Sequence, residues 1–89
     1  MSEFQIAETG GFEKRKKSLA PELYEKVRTV VYPQLRKNPY FGPNIKKLKG
    51  GLAPYYRFRI GNYRLFYLIE KEKVLVVVVD LKHRQNAYK

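Results

Sequence analysis

Residues Tyr55 to Tyr67 read YYRFRIGNYRLFY, two alternating runs joined by Gly61-Asn62. Alternation at period two marks half-buried strands, and a Gly-Asn pair between two such runs reads as a two-residue hairpin turn. Pairing outward from that turn sets Ile60 opposite Tyr63, Arg59 opposite Arg64, Phe58 opposite Leu65 and Arg57 opposite Phe66, and paired residues share a face. Tyr56, Phe58, Ile60, Tyr63, Leu65, Tyr67 and Ile69 then form a core face. Tyr55, Arg57, Arg59, Arg64 and Phe66 form a basic face with aromatic rings in it. Arginine directly across from arginine costs about 0.2–1 kcal/mol, which a bound anion relieves. Guanidinium forks suit phosphate, and rings among them can stack on unpaired bases. For one arginine alone a solvated strand face is the simpler explanation; three in one cluster favour an anion.

The rest of the chain is arranged around this hairpin. Phe4 and Ile6 mark a short first strand, broken by Thr9-Gly10-Gly11. Phe12 to Leu19 is expected to be a short charged helix, whose run Lys14-Arg15-Lys16-Lys17 suits either a solvated face or nucleic acid. Ser18, Pro21 and Glu22 supply helix-start chemistry, and Leu23, Val27, Val30, Val31 and Leu35 recur at helical spacing. Pro33 predicts a kink or break near Tyr32, and Asn38-Pro39 a definite end. Tyr40 to Pro43 is read as a loop. Ile45 to Gly51, IKKLKGG, is read as a connection that turns at Gly50-Gly51, ends at Pro54 and brings Lys46, Lys47 and Lys49 up to the hairpin. After a polar turn at Glu70–Lys73, the nearly unbroken apolar run Val74 to Leu81 predicts a strand buried on both faces and central in the sheet. A meander returns the end of that strand to the hairpin tip, so His83 and Arg84 are expected beside Arg59 and Arg64. The predicted fold is α+β: an N-terminal strand, two helices, then an antiparallel β-meander, with the helices packed on one face of the sheet.

Eighty-nine residues make one small domain, 1–89, with a single two-layer core and little room for an elaborate buried pocket. The formal charge is +11, and it is uneven: residues 1–44 carry 8 basic and 5 acidic groups, residues 45–89 carry 11 and 3. The second half is therefore the polyanion-facing half. The absence of cysteine excludes disulfides, thiolate zinc sites and thiol catalysis, and a single histidine is too few for the usual metal clusters. With no signal-peptide pattern and no apolar stretch near the roughly 18 residues of a membrane span, an intracellular, soluble protein is expected.

With the last strand placed, LKG at 48–50, YYRFRIGNYRLFY at 55–67 and VVVDLKHRQNAY at 77–88 stand in the order and spacing of the RelE/ParE superfamily of toxins from bacterial toxin–antitoxin pairs, which the chain resembles over essentially its whole length. The resemblance implies a cytoplasmic, ribosome-dependent endonuclease that cuts mRNA in the ribosomal A site without metal or cofactor and so inhibits translation. It also implies an acidic antitoxin as partner beside the 70S ribosome and mRNA, no membrane, and operator DNA only through the antitoxin. By position Arg57 and Arg59 are similar to the family's two basic residues before the turn, which are lysines in the best-known RelE. Arg64 is similar to the arginine of its YRL motif, Arg84 to the arginine after the last strand, and Tyr88 to the terminal tyrosine. Lys46, Lys47, Lys49, Tyr55 and Lys82 complete the set as contacts to RNA or ribosome.

Metal-free RNA cleavage requires the 2′-hydroxyl to lose its proton, the phosphorane's charge to be stabilised and the departing 5′-oxygen to gain a proton. Arginines suit the second task and not the first, because guanidinium stays protonated. His83 enters as a candidate base or acid, since histidine is the side chain that titrates near neutrality, and equally as a strand-end cap. Tyr88 can orient the 2′-hydroxyl or stack on a base. Two other function classes stay open: a ParE-like poison of DNA gyrase without nuclease chemistry, and a non-catalytic RNA-binding module.

Overall fold

The computed structural model describes residues 3–52 and 54–86. Strand β1 (Gln5–Glu8) leads through Thr9 into helix α1 (Gly10–Lys16). The Thr9 hydroxyl accepts from the Phe12 N–H at 3.1 Å, so the stretch that reads as a breaker is the cap and first turn of the helix, which begins two residues earlier than expected. Helix α2 (Pro21–Lys26) opens on its proline and runs into a π-helical turn, Val27–Val31, then α3 (Tyr32–Lys37). Pro33 does not break this helix. The wider π turn directly before it, closed by the Tyr32 N–H on the Val27 carbonyl, accommodates the missing donor. Asn38 is extended and ends the helix before Pro39, as expected.

Four more strands follow: β2 (Ile45–Lys47), β3 (Tyr56–Ile60), β4 (Tyr63–Glu70) and β5 (Leu75–His83). The sheet order is β1-β5-β4-β3-β2, with β1 parallel to β5 and every other pair antiparallel. The hairpin has the expected register, Ile60 with Tyr63 and Arg59 with Arg64. Gly61 takes φ +52° while Asn62 stays at negative φ, the type II′ pattern that matches strand twist. Strand β2 was read as a connection; it is an edge strand that pairs Lys46 with Arg57.

Strand β5 lies between β1 and β4 as an inner strand, with Val76, Val78 and Leu81 buried, though Val77 and Val79 on its other face are only half-buried. A bulge shifts the β4–β5 register: Tyr67 pairs with Val78 but Phe66 pairs with Asp80. The inward-facing set therefore changes from the even residues 76 and 78 to the odd residues 81 and 83.

The helices cover one face. Phe12, Val27, Val31, Tyr32 and Leu35 pack on Phe58, Ile60, Leu65, Tyr67, Val76, Val78 and Leu81. Glu8 alternates with Ile6 and so faces this layer. Its carboxylate accepts from the hydroxyls of Tyr32 (2.7 Å) and Tyr24 (2.9 Å) and from Lys16 Nζ (2.9 Å). Burial pushes the Glu8 carboxyl up, but those three hydrogen bonds together outweigh it and hold the pKa below the ordinary carboxylate value. The same burial and bonding push the Tyr32 hydroxyl well up. The Tyr67 hydroxyl, buried beneath the sheet, donates to the Pro39 carbonyl at 2.7 Å and anchors the loop after α3.

Candidate nucleic-acid interface

The sheet face away from the helices carries the basic residues, and the ladder lines them up. Arg59 pairs with Arg64 and Arg64 with Lys82, so three cations stand abreast on three adjacent strands. The next row runs Lys46, Arg57, Phe66 and Asp80. Neighbouring strands lie about 4.8 Å apart, so the like charges of a row are close neighbours and together make a dense cationic strip of the kind that attracts a polyanion.

Each arginine is held differently. The Asn44 carbonyl accepts both the Arg59 backbone N–H (2.9 Å) and an Arg57 guanidinium N–H (3.0 Å), and the Arg57 Nε is buried without a partner among the described residues. Arg64 donates to the carbonyls of Gly61 (3.2 Å) and Tyr63 (3.0 Å), which folds it over the turn. Arg59 is exposed. The Arg84 backbone N–H donates to the Asn62 carbonyl at 2.7 Å, so the 3₁₀ turn Arg84–Asn86 is pinned to the hairpin tip with Arg84 exposed beside it. Asp80 is the carboxylate of the second row, and it is already engaged: Arg15 Nε binds it at 3.0 Å and the Leu81 N–H at 2.8 Å.

Arg57, Arg59, Arg64, Arg84, Lys46 and Lys82 are thus gathered at one end of one face. Lys47 pairs with Tyr56 and so falls on the other side of the β2 edge, and Lys49 is exposed just past the strand. Two expectations change. The His83 side chain lies on the helix side of the sheet, because it pairs with Tyr63 rather than with Arg64; its ring meets the Tyr63 ring edge-on at 5.3 Å. Phe66 is not an open stacking platform: it is buried with Leu48, and Tyr55 packs half-buried against both. Tyr88 lies outside the described residues. Sequence reasoning missed the Arg15–Asp80 pair and the Glu8 cluster; the clue to the second was a carboxylate alternating with Ile6 toward an apolar layer, where it must find donors.

Comparisons with known proteins bear on the family and the fold. The family model for the ParE toxin of the type II toxin–antitoxin system parDE matches residues 6–88. The chain is a toxin of the RelE/ParE superfamily. Among solved structures, this toxin is similar to the toxin–antitoxin complex RelBE2 of Mycobacterium tuberculosis, with 27% identity over 97% of each chain and a TM-score of 0.83. It shares its fold with an Escherichia coli RelE mutant in the free state (22% identity, 98% of this chain and 88% of that one, TM-score 0.76) and with the archaeal RelE–RelB complex of Pyrococcus horikoshii (23%, 98% and 100%, 0.74). A search of curated proteins returned no match. Among the described residues of the toxin no helix is long and apolar enough to cross a membrane.

Proposed function

We propose that this toxin is a ribosome-dependent mRNA endonuclease that inhibits translation and is neutralised by an acidic antitoxin lying over the same cationic face. The observation that carries the proposal is the row Arg59–Arg64–Lys82, three cations abreast with no carboxylate among them. The likeness to the toxin of a RelBE2 toxin–antitoxin complex supports the antitoxin partner. In the proposed reaction the 2′-hydroxyl gives its proton to water as its oxygen attacks phosphorus, the bond to the 5′-oxygen breaks and that oxygen takes a proton from water, leaving a 2′,3′-cyclic phosphate, while Arg57, Arg59, Arg64 and Arg84 stabilise the charge that develops on the phosphoryl oxygens. Tyr88 orients the attacking hydroxyl. Lys46, Lys47, Lys49, Tyr55 and Lys82 hold the flanking RNA and ribosome. His83 receives no part in the cut, because its ring lies on the opposite face.

Guanidinium groups are poor proton acceptors, so the row lacks a strong base. That is the reason for including the ribosome: orientation of a weakly equipped site supplies several kcal/mol by itself. Primer extension on a translated message tests the proposal. Codon-phased cuts that vanish on naked RNA support it. The match to a ParE model supports a second reading, a gyrase poison; intact message together with double-strand DNA breaks would establish that one instead.

A further inference from the structure

On the helix side of the sheet, around the end of β5 from the arginine row, a cleft of about 520 Å³ opens where the C-terminal turn of α1 meets the ends of β4 and β5. Its floor is apolar, formed by Leu19 and Leu81, and the Tyr63 and His83 rings stand in it at 84° to one another. Its rim carries Arg15 on the α1 side, while the Lys82 side chain, paired with Arg64, belongs to the other face. We propose that this cleft binds a nucleotide, the base against the Tyr63 and His83 rings and the phosphate against the Arg15 guanidinium.

Three features make the cleft a built site rather than a gap. Perpendicular rings let a planar base stack on one and meet the edge of the other, the two favoured aromatic geometries. The His83 ring is fixed from two sides, by Tyr63 and by the Gln85 backbone N–H, which donates to its Nδ1 at 3.3 Å. In the neutral ring the proton then sits on Nε2, which is left as a donor for a base edge or a phosphate. The Arg15 guanidinium is oriented by its Nε bond to Asp80 at 3.0 Å, a bond that uses Nε and not the two terminal nitrogens. The volume falls within the range of small-molecule sites, and one base plus one phosphate uses both kinds of lining. The same chemistry is presented by a free mononucleotide and by one nucleotide of an RNA strand.

The test is a titration of the ¹⁵N-labelled full-length toxin with 5′-AMP, 5′-GMP, 5′-CMP and 5′-UMP, and separately with inorganic phosphate and with adenosine. The expected result is a set of amide shifts centred on Ser18, Tyr63 and His83, with at least one mononucleotide bound roughly fivefold to a hundredfold more tightly than phosphate, the range one stacked base contributes. His83→Ala should weaken binding, and Ser18→Trp, which fills the cleft from an exposed position, should abolish it without lowering the melting temperature. A 5′-phosphorylated trinucleotide that binds more tightly than the mononucleotide identifies RNA as the source; equal binding identifies the free nucleotide. Equal affinity for phosphate and every nucleotide, shifts confined to the Arg59–Arg64 row, or undiminished binding by Ser18→Trp would overturn the proposal.

Discussion

The two charged clusters of this toxin sit on opposite faces of one sheet and are built by opposite rules. Around Glu8 every charge is matched: the carboxylate takes three donors, and Lys16 bridges it to Glu13 at 3.3 Å. Along Arg59, Arg64 and Lys82 like charges stand abreast, and the one acid of the neighbouring row is occupied by Arg15. The first arrangement joins β1 to α1, α2 and α3 and serves folding. The second costs stability in the free protein, and it makes sense where a polyanion completes it.

The largest expected effect comes from removing cations of the row. Arg64→Ala and Arg84→Ala should each lower single-turnover cleavage on programmed ribosomes by about 100- to 1,000-fold, the usual loss for one donor to a developing oxyanion. Their melting temperatures should stay within a few degrees of wild type, since among the described residues Arg64 bonds only to turn carbonyls and the Arg84 backbone bond survives substitution. Early unfolding or normal cleavage would make either arginine structural or incidental.

Glu8→Ala should do the reverse. It leaves the Tyr24 and Tyr32 hydroxyls without their acceptor and Lys16 with Glu13 alone, at a cost of about 2–3 kcal/mol and a fall of roughly 10 °C or more in Tm. Cleavage per folded molecule, measured well below the melting temperature, should be unchanged.

The register of the hairpin and the outline of the fold were legible because Gly61-Asn62 and the flanking alternation leave only one pairing that buries a continuous face. Three features were not. Ile45–Lys47 is too short and too lysine-rich to announce a strand; its pairing with β3 makes it one. Leu48, carried over the outer face by that strand, buries Phe66, so a ring that reads as open is covered. The face of His83 follows from its pairing with Tyr63, and the bulge at Val79 hides that parity from simple alternation along β5. The site shares this pattern, in that the residues in register with the turn were placed from sequence and Arg84 reached the hairpin tip as expected, whereas the face of His83, beyond the bulge, was not placed.

A smaller effect follows from pH. Because the folded Glu8 pKa is held below its ordinary 4.5, the Glu8 contribution to stability is complete above about pH 4.5 and is lost as pH falls through the lower, folded value. Urea melts at descending pH should show this acid-side loss in wild type, and Glu8→Gln should flatten it; an unchanged profile would remove Glu8 from the account. The smallest effect is expected at Arg59→Thr. Relieving the pair with Arg64 should raise stability by about 0.2–1 kcal/mol in urea at low salt, and the gain should shrink as salt screens the repulsion.

The claim that the row has no carboxylate partner among the described residues because RNA phosphates pair it is tested most directly by salt. The affinity of the toxin for an unstructured oligoribonucleotide, measured by fluorescence anisotropy across a salt series, gives a slope of log K against log salt that counts phosphate contacts at about 0.7 each for single strands. Arg59→Ala and Arg64→Ala should each make that slope shallower by about 0.7, while Lys16→Ala, which removes a cation from the matched cluster, should leave it unchanged. Slopes that stay at the wild-type value in both arginine variants, or that fall as far in Lys16→Ala, would contradict the account.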